Sequence, residues 1–204
     1  MTKKESILQA ATLLFSQKGY KAAHVSEISK MTGVAEGTVF YHFKNKEELF
    51  LFILKRFKED LIKELERYQL DNHFGTGLEL LDGSLSFYLS LAGTMEERFL
   101  LLHRHDAYEL AEVNSTCKKY LEDIYNCFVD IFENAILVGQ RDRSIRDMPA
   151  RKTALIIFSM VDGLVRFNTY NLYHAASLYT ELIEACRRIV QNPKISKEIS
   201  EDAD

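Results

Sequence analysis

Two short helical patterns separated by a glycine, with a third pattern following at once, constrain this chain more than any other feature. They occupy the stretch from Ile28 to Leu49, which reads ISKMTGVAEGTVFYHFKNKEEL. Gly33 falls where a tight turn needs a residue that can take a positive φ. Asn45 is a good N-cap for the third helix, and Glu48 three residues later completes a plausible capping box. This spacing is typical of a helix-turn-helix, whose second helix must stand clear of its own domain to enter a DNA major groove.

The composition indicates an all-α fold. The chain has 204 residues with only 2 Pro and 9 Gly, and Leu, Ile, Glu, Lys and Ala recur at helical spacing. Few segments show the strict apolar/polar alternation of half-buried strands. The periodicity predicts about nine helices, near residues 3–18, 26–32, 35–42, 46–68, 77–92, 94–110, 113–138, 149–173 and 176–191.

The pattern of helices and breaks predicts two domains and a tail. Residues 1–47 form a three-helix head that carries the helix-turn-helix, and residues 48–192 form a larger helical domain. A helix near 46–68 links the two, because it extends well beyond what a small three-helix head requires. Residues 193–204 are polar and are expected to fray.

Charge and cysteine usage narrow the class of protein. The net charge is −4, but residues 1–50 carry seven Lys against five Glu, for +2, and the remainder carries −6. This asymmetry fits a mildly basic head that reads DNA, joined to an acidic body. Cys117, Cys127 and Cys186 are odd in number and lack CxxC spacing, so we interpret them as small hydrophobes in a reducing compartment.

No segment has the pattern of a secretion signal or a membrane span. The N-terminal stretch MTKKESILQAATLLF is an amphipathic helix with polar interruptions, unlike a signal peptide. The most apolar later stretch, Ala154 to Val165, is short and contains Asp162, which predicts a buried helix. We therefore expect a cytoplasmic protein without membrane contact.

The first 50 residues resemble the DNA-binding head of the TetR family of bacterial repressors. The match is ordered and free of gaps, and it comprises LQAATLLFSQKGY, Ile28, Gly33-Val34, the run Gly37 to Phe43, Lys44-Asn45-Lys46 and Leu49. Nothing comparable is visible after residue 50, where the ligand domains of the family diverge. The resemblance implies a C-terminal ligand-binding and dimerisation domain. It also implies a homodimer that binds a palindromic operator in double-stranded DNA and is released by a small molecule.

The residue types in the motif predict which side chains contact DNA. Small or polar groups at the start of the recognition helix suit base edges, and Gly37 would let the backbone approach closely. Glu36 and Thr38 are predicted to read bases, whereas the cations and polar groups around them position the protein on phosphates. The predicted DNA-binding residues are Lys3, Ser26, Ala35, Glu36, Gly37, Thr38, Tyr41, His42 and Lys46.

The motif departs from the family pattern in two places and carries one residue that is unusual beside DNA. The family most often has Tyr where this chain has Phe40, and the phenyl ring lacks the hydroxyl that usually meets a phosphate. It also favours Thr or Ser as the cap before Val25, where this chain has Ala23-His24, so we expect a weakly capped second helix or a different cap. Glu36 is unusual because DNA repels an acid unless it accepts a bond from a cytosine amine.

The later helices are rich in aromatic residues, some of which line an effector pocket in the family. Core packing is the commoner fate of any one such residue, and spacing cannot separate the two roles. The aromatic content with few buried charges predicts a small apolar or aromatic ligand, and no cofactor. The predicted ligand-binding residues are Phe87, Tyr88, Leu91, Tyr125, Phe128, Asp162 and Arg166.

The last two helices carry apolar stripes that need burial against another surface. The resemblance implies that they pair with their symmetry mates as a four-helix bundle. The predicted dimer-interface residues are Leu155, Phe158, Leu178, Leu182 and Ile189.

Two alternatives to a ligand-released repressor stay open at this point. One is a DNA-binding factor without a small-molecule effector. The other is a helical metal-dependent enzyme, suggested only by His103, His105, Asp106 and Glu109. On a helix His105 and Glu109 share a face, as do His103 and Asp106, but the two histidines diverge and the spacing is not HExxH. We therefore predict no metal site and no catalytic residue, and interpret the cluster as a polar helix end.

Overall fold

The computed structural model describes residues 1–192, and the predicted tail 193–204 lies outside this range. The described chain is all-α, as predicted from sequence. Its ten α-helices are α1 Lys3–Lys18, α2 Val25–Thr32, α3 Glu36–His42, α4 Lys46–Asp71, α5 Gly77–Thr94, α6 Glu96–Leu102, α7 His105–Val113, α8 Ser115–Asp142, α9 Ala150–Thr169 and α10 Tyr179–Val190. A 3₁₀ turn, Ala175–Leu178, precedes α10. Within residues 1–192, none of the helices combines the length and apolarity needed to cross a bilayer.

The prediction of one helix near 94–110 was wrong, because the segment forms α6 and α7. The break falls at Arg104, whose backbone is extended with φ −75° and ψ 141°. Its guanidinium donates from Nε to the Ser16 carbonyl oxygen at 2.7 Å and from a terminal nitrogen to the Gln17 carbonyl oxygen. These carbonyls belong to the last turn of α1, where helical acceptors have no partner within the helix. The break is therefore tied to a contact distant in sequence, which helical periodicity does not report.

The predicted helices at 149–173 and 176–191 are both shorter in the structure. α9 ends at Thr169, and the following loop holds three residues with positive φ: Asn171, Tyr173 and His174. The left-handed region costs most side-chain-bearing residues about 1–2 kcal/mol, and local hydrogen bonds, such as that from the Leu172 amide to the Phe167 carbonyl oxygen at 2.8 Å, hold this loop together.

The described chain divides into two compact units. The first contains Met1–Glu64 and Met95–Ile124, and the second contains Leu65–Thr94 with the described residues from Tyr125 onward. α6 and α7 thus belong with the N-terminal helices, and α6 packs on α1. The domain boundary expected after residue 47, at the end of the helix-turn-helix head, stays a prediction.

The core of the first unit packs against the inner side of the helix-turn-helix and holds it in place. Ile7, Phe15, Ile28, Leu49 and Phe50 are all buried to within 1% exposure. The Phe15 and Phe50 rings lie 5.8 Å apart in a tilted arrangement typical of aromatic core pairs.

Two of the three cysteines are buried thiols that stay protonated. Burial raises the pKa of Cys117 and that of Cys186 to about 11. They pack as small apolar groups, as the sequence suggested.

Candidate nucleic-acid interface

The recognition helix α3 is fixed by two buried side chains on its inner face. Val39 and Phe43, four residues apart, are 1% and 3% exposed. Phe43 meets Phe52 of α4 edge to face, with ring centroids 5.5 Å apart. Because a helix repeats every 3.6 residues, anchoring these positions turns Gly37 and Tyr41 to the opposite face. Tyr41 is 84% exposed, so α3 presents a free surface of protein to solvent.

The turn between α2 and α3 has the geometry that its sequence predicts. Gly33 takes the left-handed conformation, with φ 71° and ψ 11°. The Ser29 hydroxyl donates to the Val34 carbonyl oxygen across the turn, and the Thr32 hydroxyl donates to the Ile28 carbonyl oxygen at 2.7 Å. The Ser29 bond crosses the turn and ties α2 to the residues that lead into α3, whereas the Thr32 bond lies within the last turn of α2.

The missing Thr or Ser before Val25 is replaced by an acidic residue inside α2. Glu27 accepts a hydrogen bond from the backbone N–H of His24 at 3.1 Å and forms an ion pair with Lys18. The Lys18 ammonium and the His24 amide together hold the pKa of Glu27 below its usual value. The start of α2 is therefore stabilised from its third residue.

The start of α4 confirms the predicted cap with one shift in partner. The Asn45 side chain accepts from the Glu48 amide at 2.8 Å, and the Glu48 carboxylate accepts from the amide of Lys44, not of Asn45, at 2.6 Å. This cap fixes the loop that directly follows the recognition helix.

Lys46, predicted to contact phosphate, is bound within the head. Its ammonium donates to the carbonyl oxygens of Lys21 and Ala23 at 3.1 and 3.0 Å, and it lies 4.7 Å from the centre of the Tyr20 ring. Partial burial lowers the pKa of Lys46, and nearby Asp106 acts in the opposite direction. An ammonium has three donors, so a phosphate contact by Lys46 would have to use the third.

The other predicted DNA-binding residues lie on or near the free surface of the head. Lys3, Ala35, Glu36 and Gly37 are exposed, as is Tyr41, whereas Ser26, Thr38 and His42 are half-buried. A Cβ built on Gly37 meets no atom within 4 Å, so nothing in the head occupies the space above it.

Sequence reasoning missed three features of the head. Lys30 is an exposed cation on α2, and Lys44 is an exposed cation that follows α3. Thr2 caps α1 in a full capping box with Glu5, which the S/T-x-x-E spacing could have revealed.

In the second unit, four aromatic residues and one acid come together from three helices. We call Tyr88, Tyr125, Phe128 and Phe158 the aromatic cluster. Tyr88 of α5 meets Phe128 of α8 edge to face at 4.6 Å, and Phe158 of α9 lies 5.6 Å from Tyr125. The buried Tyr88 hydroxyl donates to Asp162 at 2.6 Å.

The remaining predicted ligand residues have other surroundings. Phe87 stacks on Tyr68 with ring centroids 4.2 Å apart, Leu91 is buried, and Arg166 is half-buried on α9. Phe158, predicted at a dimer interface, packs in the aromatic cluster.

A second face of α9 carries exposed apolar side chains. Leu155 and Ile156 are 45% and 58% exposed, and Leu178, before α10, is 43% exposed. Leu182 and Ile189 on α10 are half-buried. Ile156 was missed because the sequence pattern does not tell which side of a doubly apolar helix faces inward.

The four residues of the His103–Glu109 cluster do not converge on one point, and His105 lies 3.9 Å from Glu109 one turn along α7. His103 is buried and lies edge to face with Phe99, while Asp106 accepts from the Lys21 amide at 3.1 Å. Glu109 pairs with the Lys21 ammonium at 2.9 Å. His103 and Asp106 were expected to share a helix face, but the break at Arg104 separates them: His103 follows the last residue of α6, and Asp106 lies on α7. Within residues 1–192, no group of three or more such side chains is placed to hold a metal ion.

A short exposed helix, held by a glycine turn and anchored on a buried inner face, defines a helix-turn-helix DNA-binding protein. Residues 7–53 match the family model for bacterial regulatory proteins of the tetR family. Residues 7–53 are thus a DNA-binding domain of the tetR family of bacterial regulatory proteins, and the chain is a DNA-binding transcriptional regulator.

Two curated relatives and one solved structure are similar over most of the chain. The fatty acid metabolism regulator protein of Bacillus subtilis is 27% identical over 161 residues, which cover 78% of this chain and 79% of that protein. The transcriptional regulator QacR of Staphylococcus aureus is 28% identical over 178 residues, 82% of this chain and 86% of that one. The crystal structure of FadR from B. subtilis in complex with stearoyl-CoA matches with a TM-score of 0.71 at 25% identity, over 89% of this chain and 96% of that one.

Proposed function

We propose that this protein is a cytoplasmic transcriptional repressor that binds a palindromic operator as a homodimer and is released by a small apolar ligand. The free surface of α3 around Gly37 and Tyr41 is the observation that carries the proposal. Gly37 leaves the backbone of α3 uncovered, and the Tyr41 ring projects from the same face one helical turn later. Such a helix fits a major groove, where its backbone and side chains contact base edges and phosphates.

Within this proposal the predicted contacts divide by chemistry. Glu36 and Thr38, near the start of α3, read base edges, and Tyr41 and His42 bond phosphates or bases. Exposed Lys3 and Lys44 add positive charge that contacts DNA phosphates. Lys3 lies on the flank of the head, and Lys44 follows the recognition helix.

The aromatic cluster is the proposed effector site. Tyr125 and Phe158 are half-buried and offer apolar surface, and the Tyr88–Asp162 bond adds a polar anchor beside them. The relative from B. subtilis was crystallised with stearoyl-CoA, a ligand that carries a long acyl chain. We infer an effector with a comparable apolar part, and stearoyl-CoA is the first probe.

Dimerisation follows from the geometry of DNA. Two heads reach successive major grooves on one face only if they are about 34–36 Å apart, as two-fold pairing can arrange. The exposed apolar face of α9, with Leu155 and Ile156, and Leu178 before α10 supply a surface for that pairing.

Release by the ligand would be a population shift. The ligand would favour a dimer whose heads are too far apart, or too close, for successive major grooves. It can lower operator affinity by no more than the ratio of its own affinities for the two states of the dimer. A hundredfold drop in operator affinity therefore requires a preference of about 2.7 kcal/mol.

The test begins with selection of bound duplexes from random-sequence DNA at fixed salt. We expect a palindromic site, bound by two chains, whose affinity falls when stearoyl-CoA is added. Absence of any preferred sequence would overturn the operator proposal. A palindromic site insensitive to stearoyl-CoA would reject that acyl-CoA as effector, and insensitivity to a panel of apolar ligands would favour a factor controlled without one. A reporter gene placed behind the operator measures the direction of control. Lower transcription in the presence of the protein would confirm repression, and higher transcription would contradict it.

A further inference from the structure

Phe40 is an apolar side chain in an unexpected place. It lies on α3 three residues after Gly37 and next to Tyr41, and the residue is 46% exposed. The buried anchors Val39 and Phe43 hold it on the flank of the free surface. Within residues 1–192, no other ring and no cation packs on it.

The chemistry of a phenyl ring restricts what it can contact on DNA. It has no donor or acceptor, so it cannot bond a phosphate or the polar edge of a base. The C5 methyl of thymine is the apolar group that a base pair presents in the major groove. An exposed phenyl ring on a recognition helix gains free energy by covering that methyl, because both surfaces leave water.

We propose that Phe40 is a specificity-determining residue that reads the C5 methyl of one thymine in each half-site. The proposal rests on the proposed function, since it requires α3 to lie in the major groove. The bare backbone at Gly37, with no atom within 4 Å of a Cβ built there, leaves room on the same side of α3 for the base edge to approach.

The experiment changes single atoms of the DNA and leaves the protein intact. In the duplex selected for tightest binding, each thymine is replaced in turn by uracil, which lacks only the methyl. We expect a loss of about fourfold in affinity at one position per half-site, and about fifteenfold when both half-sites are changed, from about 0.8 kcal/mol per buried methyl.

The protein variant assigns that loss to one side chain. Phe40→Ala should bind the thymine and uracil duplexes alike, while its melting temperature stays close to that of the wild type because the ring is half-exposed. Ile62→Ala is the matched control. Ile62 lies on α4 of the same unit and is 37% exposed, so this variant should keep the fourfold preference for thymine.

Three results would overturn the role of Phe40 and leave operator binding intact. They are equal affinity for every uracil duplex, a thymine preference that survives in Phe40→Ala, and equal affinity for two duplexes that carry either 5-methylcytosine or cytosine, which differ only in the C5 methyl, in place of the thymine. Failure to select any preferred duplex would instead overturn the proposed function.

Discussion

Glycine at position 37 has opposing effects on the stability of α3 and on the approach of DNA to that helix. Glycine within a helix is less favourable than alanine by about 0.8–1.0 kcal/mol, and a Cβ built here meets no atom within 4 Å. The fold alone would therefore be better with alanine. Close approach of DNA to the backbone is a reason for glycine that the isolated protein does not reveal.

Gly37→Ala should stabilise the protein and weaken its binding to the operator. We expect a gain approaching 1 kcal/mol in the free energy of unfolding, because the helix loses its most flexible residue. The added methyl should lower operator affinity at least tenfold. Urea denaturation and fluorescence anisotropy measure the two effects. Gly93→Ala, also open around its Cβ, is the control and should leave DNA binding unchanged. An unchanged operator affinity in Gly37→Ala would contradict the close approach.

Lys46 joins the start of α4 to the loop before α2. Lys46→Met keeps the length of the side chain but removes both donors to the Lys21 and Ala23 carbonyl oxygens. We expect a loss of about 1–3 kcal/mol in unfolding free energy, since hydrogen bonds to a charged group are worth that much.

The salt dependence of DNA binding shows whether Lys46 also meets a phosphate. Loss of a phosphate contact lowers the slope of log affinity against log salt by about one. A structural role alone lowers affinity at an unchanged slope. Lys44→Met, at an exposed cation two residues earlier, is the matched comparison and should reduce the slope without loss of stability.

At the scale of elements, the break between α6 and α7 depends on one side chain. Arg104→Gln removes the charge that bonds the last carbonyls of α1. We expect the unfolding free energy to fall by about 2 kcal/mol, because those acceptors lose charged partners. Arg188→Gln, at a surface pair four residues apart on α10, should change it by less than about 0.5 kcal/mol. Equal effects in the two variants would contradict this account of the break.

The start of α5 gives the protein a dependence on acid. Asp142 accepts from the Gly77 amide at 2.6 Å and from the Ser144 amide at 2.8 Å. Partial burial acts to raise the pKa of Asp142, but the hydrogen bonds from Ser144 and Gly77 outweigh it and leave that pKa lowered. Since the folded pKa is the lower one, this stabilisation is present above the unfolded value of about 3.8 and is lost as the pH falls through the folded value.

Asp142→Asn should reduce stability at neutral pH and little in acid. We expect a loss of about 1 kcal/mol near pH 7, in the range for loss of a helix cap. In acid, below the lowered folded pKa of Asp142, the difference from the wild type should disappear because the native carboxyl is then protonated as well. Urea denaturation at the two pH values measures it, and an equal loss at both would show that the charge has no part.

At the scale of the whole molecule, the proposed homodimer would pair through the exposed apolar face of α9. Ile156→Glu places a charge at a side chain that is 58% exposed. We expect a monomer in sedimentation at concentrations where the wild type is dimeric, because a dimer would bury that charge. Operator affinity should fall with it, since one head alone meets one half-site. Val113→Glu, at an apolar residue of α7 that is 84% exposed, should leave the dimer intact.

Local chemistry was predictable where neighbouring residues decide the structure. The glycine turn at Gly33, the cap at Asn45 and the helical periods follow from backbone conformation and hydrogen bonds within a few residues. The all-α fold and the class of the DNA-binding head could therefore be predicted from sequence.

Contacts between distant residues were beyond such reasoning. Arg104 breaks a helical pattern because it bonds residues 16 and 17, and Lys46 turns from solvent to carbonyls more than twenty residues away. Phe158 and Ile156 are both apolar on α9, yet one joins the aromatic cluster and the other faces solvent. Periodicity locates the faces of a helix but not which neighbour covers each face.

The sequence by itself therefore determined the all-α class and the helix-turn-helix, because both rest on backbone preferences and spacing within about one helical turn. Only the tertiary structure decided which exposed groups are left for DNA. Packing of Val39 and Phe43 turns Gly37, Phe40 and Tyr41 outward, and the carbonyls of the α1–α2 loop hold Lys46 back. A side chain's availability depends on everything packed around it, and that is set by residues far apart in the chain.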